Sequence, residues 1–140
     1  MQKYKIASAS VAVFVKKKVL LIYNIKKQLW EFPGGKHELG ESSLECAVRE
    51  CDEECGLTLT PEKLKFLHTQ ENSKCLCVVY TAKLKPNDPT VNVQEFFHNK
   101  KDYSHSEYQW LDMSKFDKVP NIRPECIAAI NKFIELKGQK

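Results

Sequence analysis

A mixed α/β fold is what this sequence predicts, and three observations carry the expectation. Its 140 residues, 42% hydrophobic and 29% charged, can bury one sizeable core but not two independently stable ones. Short apolar runs with strand character recur along the chain. Two further segments, residues 42–55 and the stretch from Pro124 onward, carry helix signals instead. Residues 1–140 are therefore expected to form a single domain.

Lys3 and Lys5 precede the apolar run Ile6–Val15, as they would in a signal peptide. Ser8 and Ser10 interrupt that run, three lysines end it, and Val11, Val13 and Val15 alternate, so a strand is expected. Val11–Val15 and Val19–Tyr23, joined through Lys16, Lys17 and Lys18, read as a hairpin. Leu29–Phe32 is a short strand halted by Pro33, Gly34 and Gly35. Residues 42–55 follow as a helix, with a Ser42–Glu45 capping box at its start and Gly56 as its stop. Leu64–Leu67 and Cys75–Leu84 are expected strands. Residues 85–101, rich in Pro, Asn and Asp, suggest a loop around a weak strand at Val91–Val93. Tyr108–Leu111 is one more strand, and Pro124 opens a last helix with Ile127, Ile130 and Ile134 on its apolar face.

Several function classes drop out early. The longest apolar runs, such as Cys75–Tyr80, are far too short to span a bilayer. The six cysteines lack zinc-ribbon spacing and the four histidines are scattered, so the thiols read as small core hydrophobes in a reducing compartment, the cytoplasm. The net charge of +4 hides an asymmetry: Gly35–Leu57 holds seven acids against Lys36 and Arg49. An acidic patch on an otherwise basic chain suits a divalent cation whose partner is a polyanion. The basic charge is dispersed lysine with only two arginines, and with no nucleic-acid-binding motif a nucleic-acid partner is the weaker reading.

On the 42–55 helix, Leu44, Ala47, Val48, Cys51 and Cys55 share a core-facing stripe. Glu50, Glu53 and Glu54, at i, i+3 and i+4, gather on a second face. Their repulsion costs about a few tenths of a kcal/mol per pair, and two of them oppose the helix dipole in the last turn. A hard cation such as Mg²⁺ or Mn²⁺ would relieve this. An arbitrary Glu-x-x-Glu-Glu is more often a solvated acidic face. Here Gly34 and Gly35 let the backbone approach a ligand, Lys36 brings a phosphate-neutralising charge, and Glu41 can pair with Arg49 across the loop–helix junction.

Gly35, Glu41 and the run Arg49-Glu50-Cys51-Asp52-Glu53-Glu54-Cys55-Gly56-Leu57 resemble the Nudix box, G-x5-E-x7-REU-x-EE-x-GU, where U is a bulky aliphatic. All seven fixed letters fall at the right spacing, a match expected by chance at about 1 in 10⁹ starting positions. The one departure is Cys51 at the first U. Trp30–Lys36 is similar to the approach to the box in MutT-type members, and Tyr108–Leu111 to a late strand of many members.

The resemblance implies an α/β/α sandwich around a central mixed sheet, and hydrolysis of a diphosphate linkage in a nucleoside diphosphate derivative. Carried over position by position, it implies that Glu50, Glu53 and Glu54 ligate Mg²⁺ or Mn²⁺ together with the Gly34 carbonyl. Arg49 and Glu41 would orient the glutamates, Lys36 would contact phosphate, and Glu50 would also be the base for the attacking water. Many members place a further acid six residues before the tryptophan matching Trp110. Ser104 stands there in this chain, leaving Glu107, His105, Asp102 and Glu95 as candidates in that order.

The marks of diadenosine-polyphosphate, ADP-ribose, coenzyme A and NADH members are absent. A nucleoside triphosphate, oxidised or not, is therefore the expected substrate. MutT-type members read an oxidised guanine partly with an asparagine just before the last helix, and Asn121 lies in that stretch one residue out of register, where an asparagine is more commonly just a cap. Phe32, Trp30 and Tyr80 could stack a base or simply fill the core. The alternatives are a Nudix hydrolase acting on ADP-ribose or a dinucleoside polyphosphate, and a non-hydrolytic nucleotide-binding module, the last disfavoured because all three helix glutamates are kept.

Overall fold

The computed structural model describes residues 5–71, 75–88, 93–99 and 105–138. Among these residues seven strands form one mixed sheet: β1 (Lys5–Val15), β2 (Lys18–Asn24), β3 (Leu29–Glu31), β4 (Gly34–Lys36), β5 (Leu64–Glu71), β6 (Cys75–Leu84) and β7 (His105–Asp112). Three α-helices among the same residues accompany it: α1 (Ser43–Cys55), α2 (Val93–Asn99) and α3 (Pro124–Gly138). β1 runs parallel to β6 in the middle of the sheet, with β5 outside β6, and the other pairings between these strands are antiparallel.

The β1–β2 hairpin pairs only near its turn, at Phe14–Val19 and Val15–Lys18. Beyond that point the strands part and β3–β4 fills the wedge. β3 pairs with β2 at Ile22–Asn24, and β4 pairs with β1 at Ser8–Ser10. The Val11 N–H reaches the Pro33 carbonyl at 2.9 Å between them. Pro33 cannot donate to a ladder, and it sits at the point where the chain crosses from one strand to the other.

Alternate residues of the central strands feed two cores. Val11, Val13, Leu20 and Ile22 pack with Cys46, Ala47, Cys51 and Cys55 of α1. Ala12, Phe14, Val19 and Leu21 pack with Cys126, Ala129, Ile130 and Phe133 of α3. A sheet covered on both faces needs continuous apolar strands rather than alternating ones, which is what Val11–Phe14 and Val19–Ile22 supply. The result is the α/β/α sandwich expected above.

Several elements differ from the sequence reading. The break expected at Pro33, Gly34 and Gly35 holds only at Pro33, because Gly34–Lys36 pairs with β1 as β4, and the strand expected at Tyr108–Leu111 runs from His105 to Asp112 along β2. Where a loop around a weak strand at Val91–Val93 was expected, residues 93–99 form α2, while residues 91 and 92 lie outside the described residues. Val93 and Phe97 drive this, since the i and i+4 positions bring both onto the α1-side core, and Phe97 also packs on Tyr108. The α3 face is offset too: Ile127 and Ile134 are exposed, and Cys126, Ala129, Ile130 and Phe133 are buried. Stacking of Phe133 on Phe14, with ring centroids 4.4 Å apart, sets that rotation. The strand expected at Leu64–Leu67 extends to Glu71 through its pairing with β6.

Cys46, Cys51, Cys55, Cys77 and Cys126 are not in disulfides, and all but Cys77 are buried. No helix among the described residues is long and apolar enough to cross a membrane.

Candidate active site

α1 is capped at both ends as its sequence demands. The Ser42 hydroxyl accepts from the Glu45 N–H while the Glu45 carboxylate accepts from the Ser42 N–H, and Gly56 takes the left-handed conformation at φ 70°. No basic residue relieves the last turn, where Glu53 and Glu54 stand.

Relief comes from Arg49. Its Nε and Nη2 fork onto Glu41 at 2.6 and 3.0 Å, its Nη1 reaches Glu50 at 2.7 Å and Glu53 at 3.1 Å, and Nη2 also donates to the Lys36 carbonyl at 3.0 Å. One planar donor set therefore binds the 36–41 loop to two of the three helix carboxylates. The Arg49 hydrogen bonds hold the Glu41 carboxyl down at about 2, from an ordinary 4.5. A depressed folded-state value means this contact stabilises the loop fully above pH ~4.5 and is lost as pH falls toward 2. In an acid titration, the Glu41→Gln variant should lack this contribution throughout, so the difference from wild type should shrink below pH ~4.5. A constant difference down to pH 2 would show the pair to be idle.

The third carboxylate turns the other way. Glu54 Oε1 accepts from the Gly34 N–H at 2.8 Å, and Oε2 lies 3.6 Å from His105 Nδ1. Gly34 itself is pressed against β1: a Cβ there would meet the Ala9 carbonyl oxygen and the Ser10 Cα and Cβ. Backbone cannot yield as a flexible side chain can, so Gly34→Ala should destabilise the fold by about 1–3 kcal/mol in a denaturant titration. Unchanged stability would mean that β4 can slide off β1. At Gly35 a Cβ would strike the Glu50 carboxylate instead. The absent side chain lets that acid lie directly against the loop backbone.

Carboxylate and carbonyl oxygens are the donors that Mg²⁺ and Mn²⁺ take, so Glu50, Glu53, Glu54 and Gly34 fit such an ion in chemistry. The space at Gly35 taken up by Glu50 is consistent with that fit. Among the described residues no three His, Cys, Asp or Glu side chains are already arranged to hold a metal ion. Glu50 and Glu53 are drawn onto Arg49, and a cation would compete with the guanidinium for them.

A cavity of about 410 Å³ opens beside this face. Gly34, Gly35, Lys36 and Glu54 line it, as do Phe32, Val79 and Cys126 and the polar side chains of Asn24, Glu31, His105 and Arg123. Sequence reasoning missed most of this polar group. Glu31, only 6% exposed, accepts from Asn24 Nδ2 at 3.1 Å and Arg123 Nη1 at 3.2 Å, and lies 2.8 Å from His105 Nε2. Burial pushes its carboxyl up, but those hydrogen bonds and the Arg123 charge bring it below the usual range. No alternation in Leu29–Phe32 marks it, since Glu31 and its neighbour Phe32 are both buried.

Two thiols bind the cavity wall to its neighbours. The Cys46 thiol, pushed up to about 11 by burial, donates to the Gly35 carbonyl at 3.3 Å. The Cys126 thiol, pushed up to about 12 by burial, accepts from the Phe32 N–H at 3.4 Å.

The remaining sequence candidates scatter. Phe32 and Lys36 line the cavity. Asn121 is left-handed at φ 62° in the turn before α3, with an exposed side chain and a carbonyl accepting from the Trp30 N–H at 2.8 Å. It is a turn residue rather than a helix cap, and its side chain does not join the cavity lining. Glu107 is exposed on β7 and Glu95 on α2, and neither lines the cavity. His105 does line it, while Asp102 and Ser104 lie outside the described residues.

A sequence model of the NUDIX domain family matches residues 4–130. An RNA pyrophosphohydrolase of Ruthia magnifica subsp. Calyptogena magnifica is 32% identical over 75 residues, 45% of this chain and 42% of that protein. The uncharacterized Nudix hydrolase YvcI of Bacillus subtilis is 28% identical over 112 residues, 74% of this chain and 63% of its own length. The matched region therefore spans less than two thirds of either relative. Among solved structures, a C. elegans Ap4A hydrolase binary complex superposes with a TM-score of 0.70 at 20% identity, over 95% of this chain and 99% of that one. A MutT protein from Methanosarcina mazei gives 0.68 at 21% identity, over 100% and 99%. At such identities these two likenesses speak for the fold alone.

Proposed function

The chain belongs to the Nudix family, and from that premise we propose that it is a Mg²⁺- or Mn²⁺-dependent pyrophosphohydrolase. Its substrate is a nucleoside triphosphate, standard or oxidised at the base, cleaved to the monophosphate and pyrophosphate. Residues 1–140 act as one such domain. The observation that carries this reading is a cavity of small-ligand size lined both by Asn24, Glu31 and Phe32 and by Gly34, Lys36 and Glu54. A nucleoside held among the first group has its phosphates beside the second.

When bound, the divalent ion would neutralise the diphosphate oxygens and favour in-line displacement at phosphorus. Glu50, Glu53, Glu54 and the Gly34 carbonyl would hold it. Lys36 faces the phosphates and Phe32 supplies an apolar wall for the base. Arg49, fixed by Glu41, keeps Glu50 and Glu53 turned toward the loop, and Glu50 takes the proton of the attacking water. Asn121 and Glu107 are left as contacts to parts of the substrate outside the cavity. The partner is a small nucleotide rather than nucleic acid or membrane, and buried cysteines held in no disulfide suit the cytoplasm.

Phosphate and pyrophosphate release with Mg²⁺ tests this across one panel: standard and 8-oxo nucleoside triphosphates, ADP-ribose, a diadenosine polyphosphate and a 5′-triphosphate RNA. Pyrophosphate from a free triphosphate is expected, and the fastest base names what the cavity selects. Turnover confined to ADP-ribose, the dinucleotide or RNA would keep the chemistry and overturn the substrate. Binding without cleavage of any of them would favour the non-hydrolytic module.

A further inference from the structure

His105 is buried, 3% exposed, between two carboxylates that belong to different parts of the molecule. Its Nε2 lies 2.8 Å from Glu31 Oε2 on β3, and its Nδ1 lies 3.6 Å from Glu54 Oε2 on α1. The far end of this line is anchored, since Glu31 is also gripped by Asn24 of β2 and by Arg123 just ahead of α3. At the near end Glu54 Oε1 accepts from the Gly34 N–H, and His105 Nδ1 faces Oε2. A buried imidazole whose partner is gripped from two further segments has little freedom to turn. Side chains behind a metal ligand, by fixing its orientation, commonly change metal affinity or activity by about 10–100-fold.

We propose that His105 is a positioning residue: held at Nε2 by the Glu31 cluster, it sets the orientation of the Glu54 carboxylate through Nδ1. The inference rests on the reading of Glu54 as a metal ligand. It assigns the floor of the cavity, Glu31 with Asn24 and Arg123, a second duty besides facing substrate. The clamp that anchors β3 then also holds an acid on α1, across the wedge.

The two nitrogens can be tested separately. The Gln amide nitrogen falls where Nε2 stood and the Asn amide nitrogen where Nδ1 stood. His105→Gln should therefore keep the bond to Glu31 and fold as wild type, yet bind Mn²⁺ about 10–100-fold more weakly and lose kcat by a similar factor at unchanged nucleotide KM. His105→Asn should keep more of both, its shortfall being the lost Glu31 anchor. Glu31→Gln should shift Mn²⁺ affinity in the same direction, and the Glu31→Gln/His105→Gln pair should be less than additive.

Mn²⁺ affinity is read by electron paramagnetic resonance on the protein alone, and thermal unfolding checks that each variant is folded. Mn²⁺ binding and kcat within twofold of wild type in folded His105→Gln would overturn the inference. So would a change confined to KM, which would make His105 a wall of the cavity. A wild-type chain that binds Mn²⁺ and cleaves nothing would remove the hydrolase reading, and the Mn²⁺ comparison would still decide the role of His105. A wild-type chain that binds no Mn²⁺ would overturn both.

Discussion

Glu53→Gln is expected to lower nucleotide hydrolysis by about a hundredfold or more while shifting Tm by no more than ~2 °C. The two halves of that expectation come from different observations. Glu53 is 55% exposed and its contact to Arg49 is an i, i+4 pair, worth about 0.3–0.5 kcal/mol at such a position. Gln keeps the length and most of the shape of Glu, and Arg49 still has Glu41 and Glu50. The fold therefore has little to lose. Chemistry has much to lose, because a neutral amide oxygen is a poorer donor to a divalent ion than a carboxylate. Steady-state hydrolysis of the best panel substrate, with Mn²⁺ affinity alongside, measures it. A rate within threefold of wild type would remove Glu53 from the site.

Arg49→Ala strikes both properties together. It deletes the fork onto Glu41, the contacts to Glu50 and Glu53, and the bond to the Lys36 carbonyl. Glu50, whose side chain is only 13% exposed, would lose its counter-ion without moving into water. A destabilisation of about 2 kcal/mol is expected by denaturant titration, with hydrolysis down about a hundredfold because the loop and two acids lose their common anchor. Arg49→Lys should recover only part of either, since one ammonium cannot fork onto Glu41 while also reaching Glu50 and the Lys36 carbonyl. Full function in the lysine variant would show that charge alone suffices and that the fork is incidental.

The parts of this molecule legible in its sequence are those in which spacing along one element decides the outcome. The Ser42 cap, the Gly56 stop and the Glu50–Glu53–Glu54 face follow from helix periodicity, and the Glu41–Arg49 pair from two charges with one loop between them. What stayed hidden depends on elements meeting in space. Asn24, Glu31, His105 and Arg123 come from four separate segments, and nothing local distinguishes them from ordinary strand and loop residues. The sequence marks His105 only as one of four residues near the unfilled acid position, after Glu107, which is exposed. α2 was lost because seven residues give too little periodicity to outweigh a loop-like composition around them. The α3 face was misjudged because three isoleucines outshone Cys126 and Ala129, small residues that let the helix sit close.

The parallel pairing of β1 with β6 sets Ser8 beside Cys77 and Val15 beside Leu84, so the entire box lies inside the loop this pairing closes. Contacts so distant in sequence form slowly, because the chain must give up the entropy of a long loop before any of them rewards it. α1 can nucleate early from its own caps, but the β6 side chains Ala82 and Leu84 that complete its apolar bed arrive with that closure. The last piece, His105 beside Glu54, waits for β7 to join β2. During synthesis the acids of α1 therefore emerge well before the sheet that orders them, and a chain still short of β7 carries the full box without an assembled site.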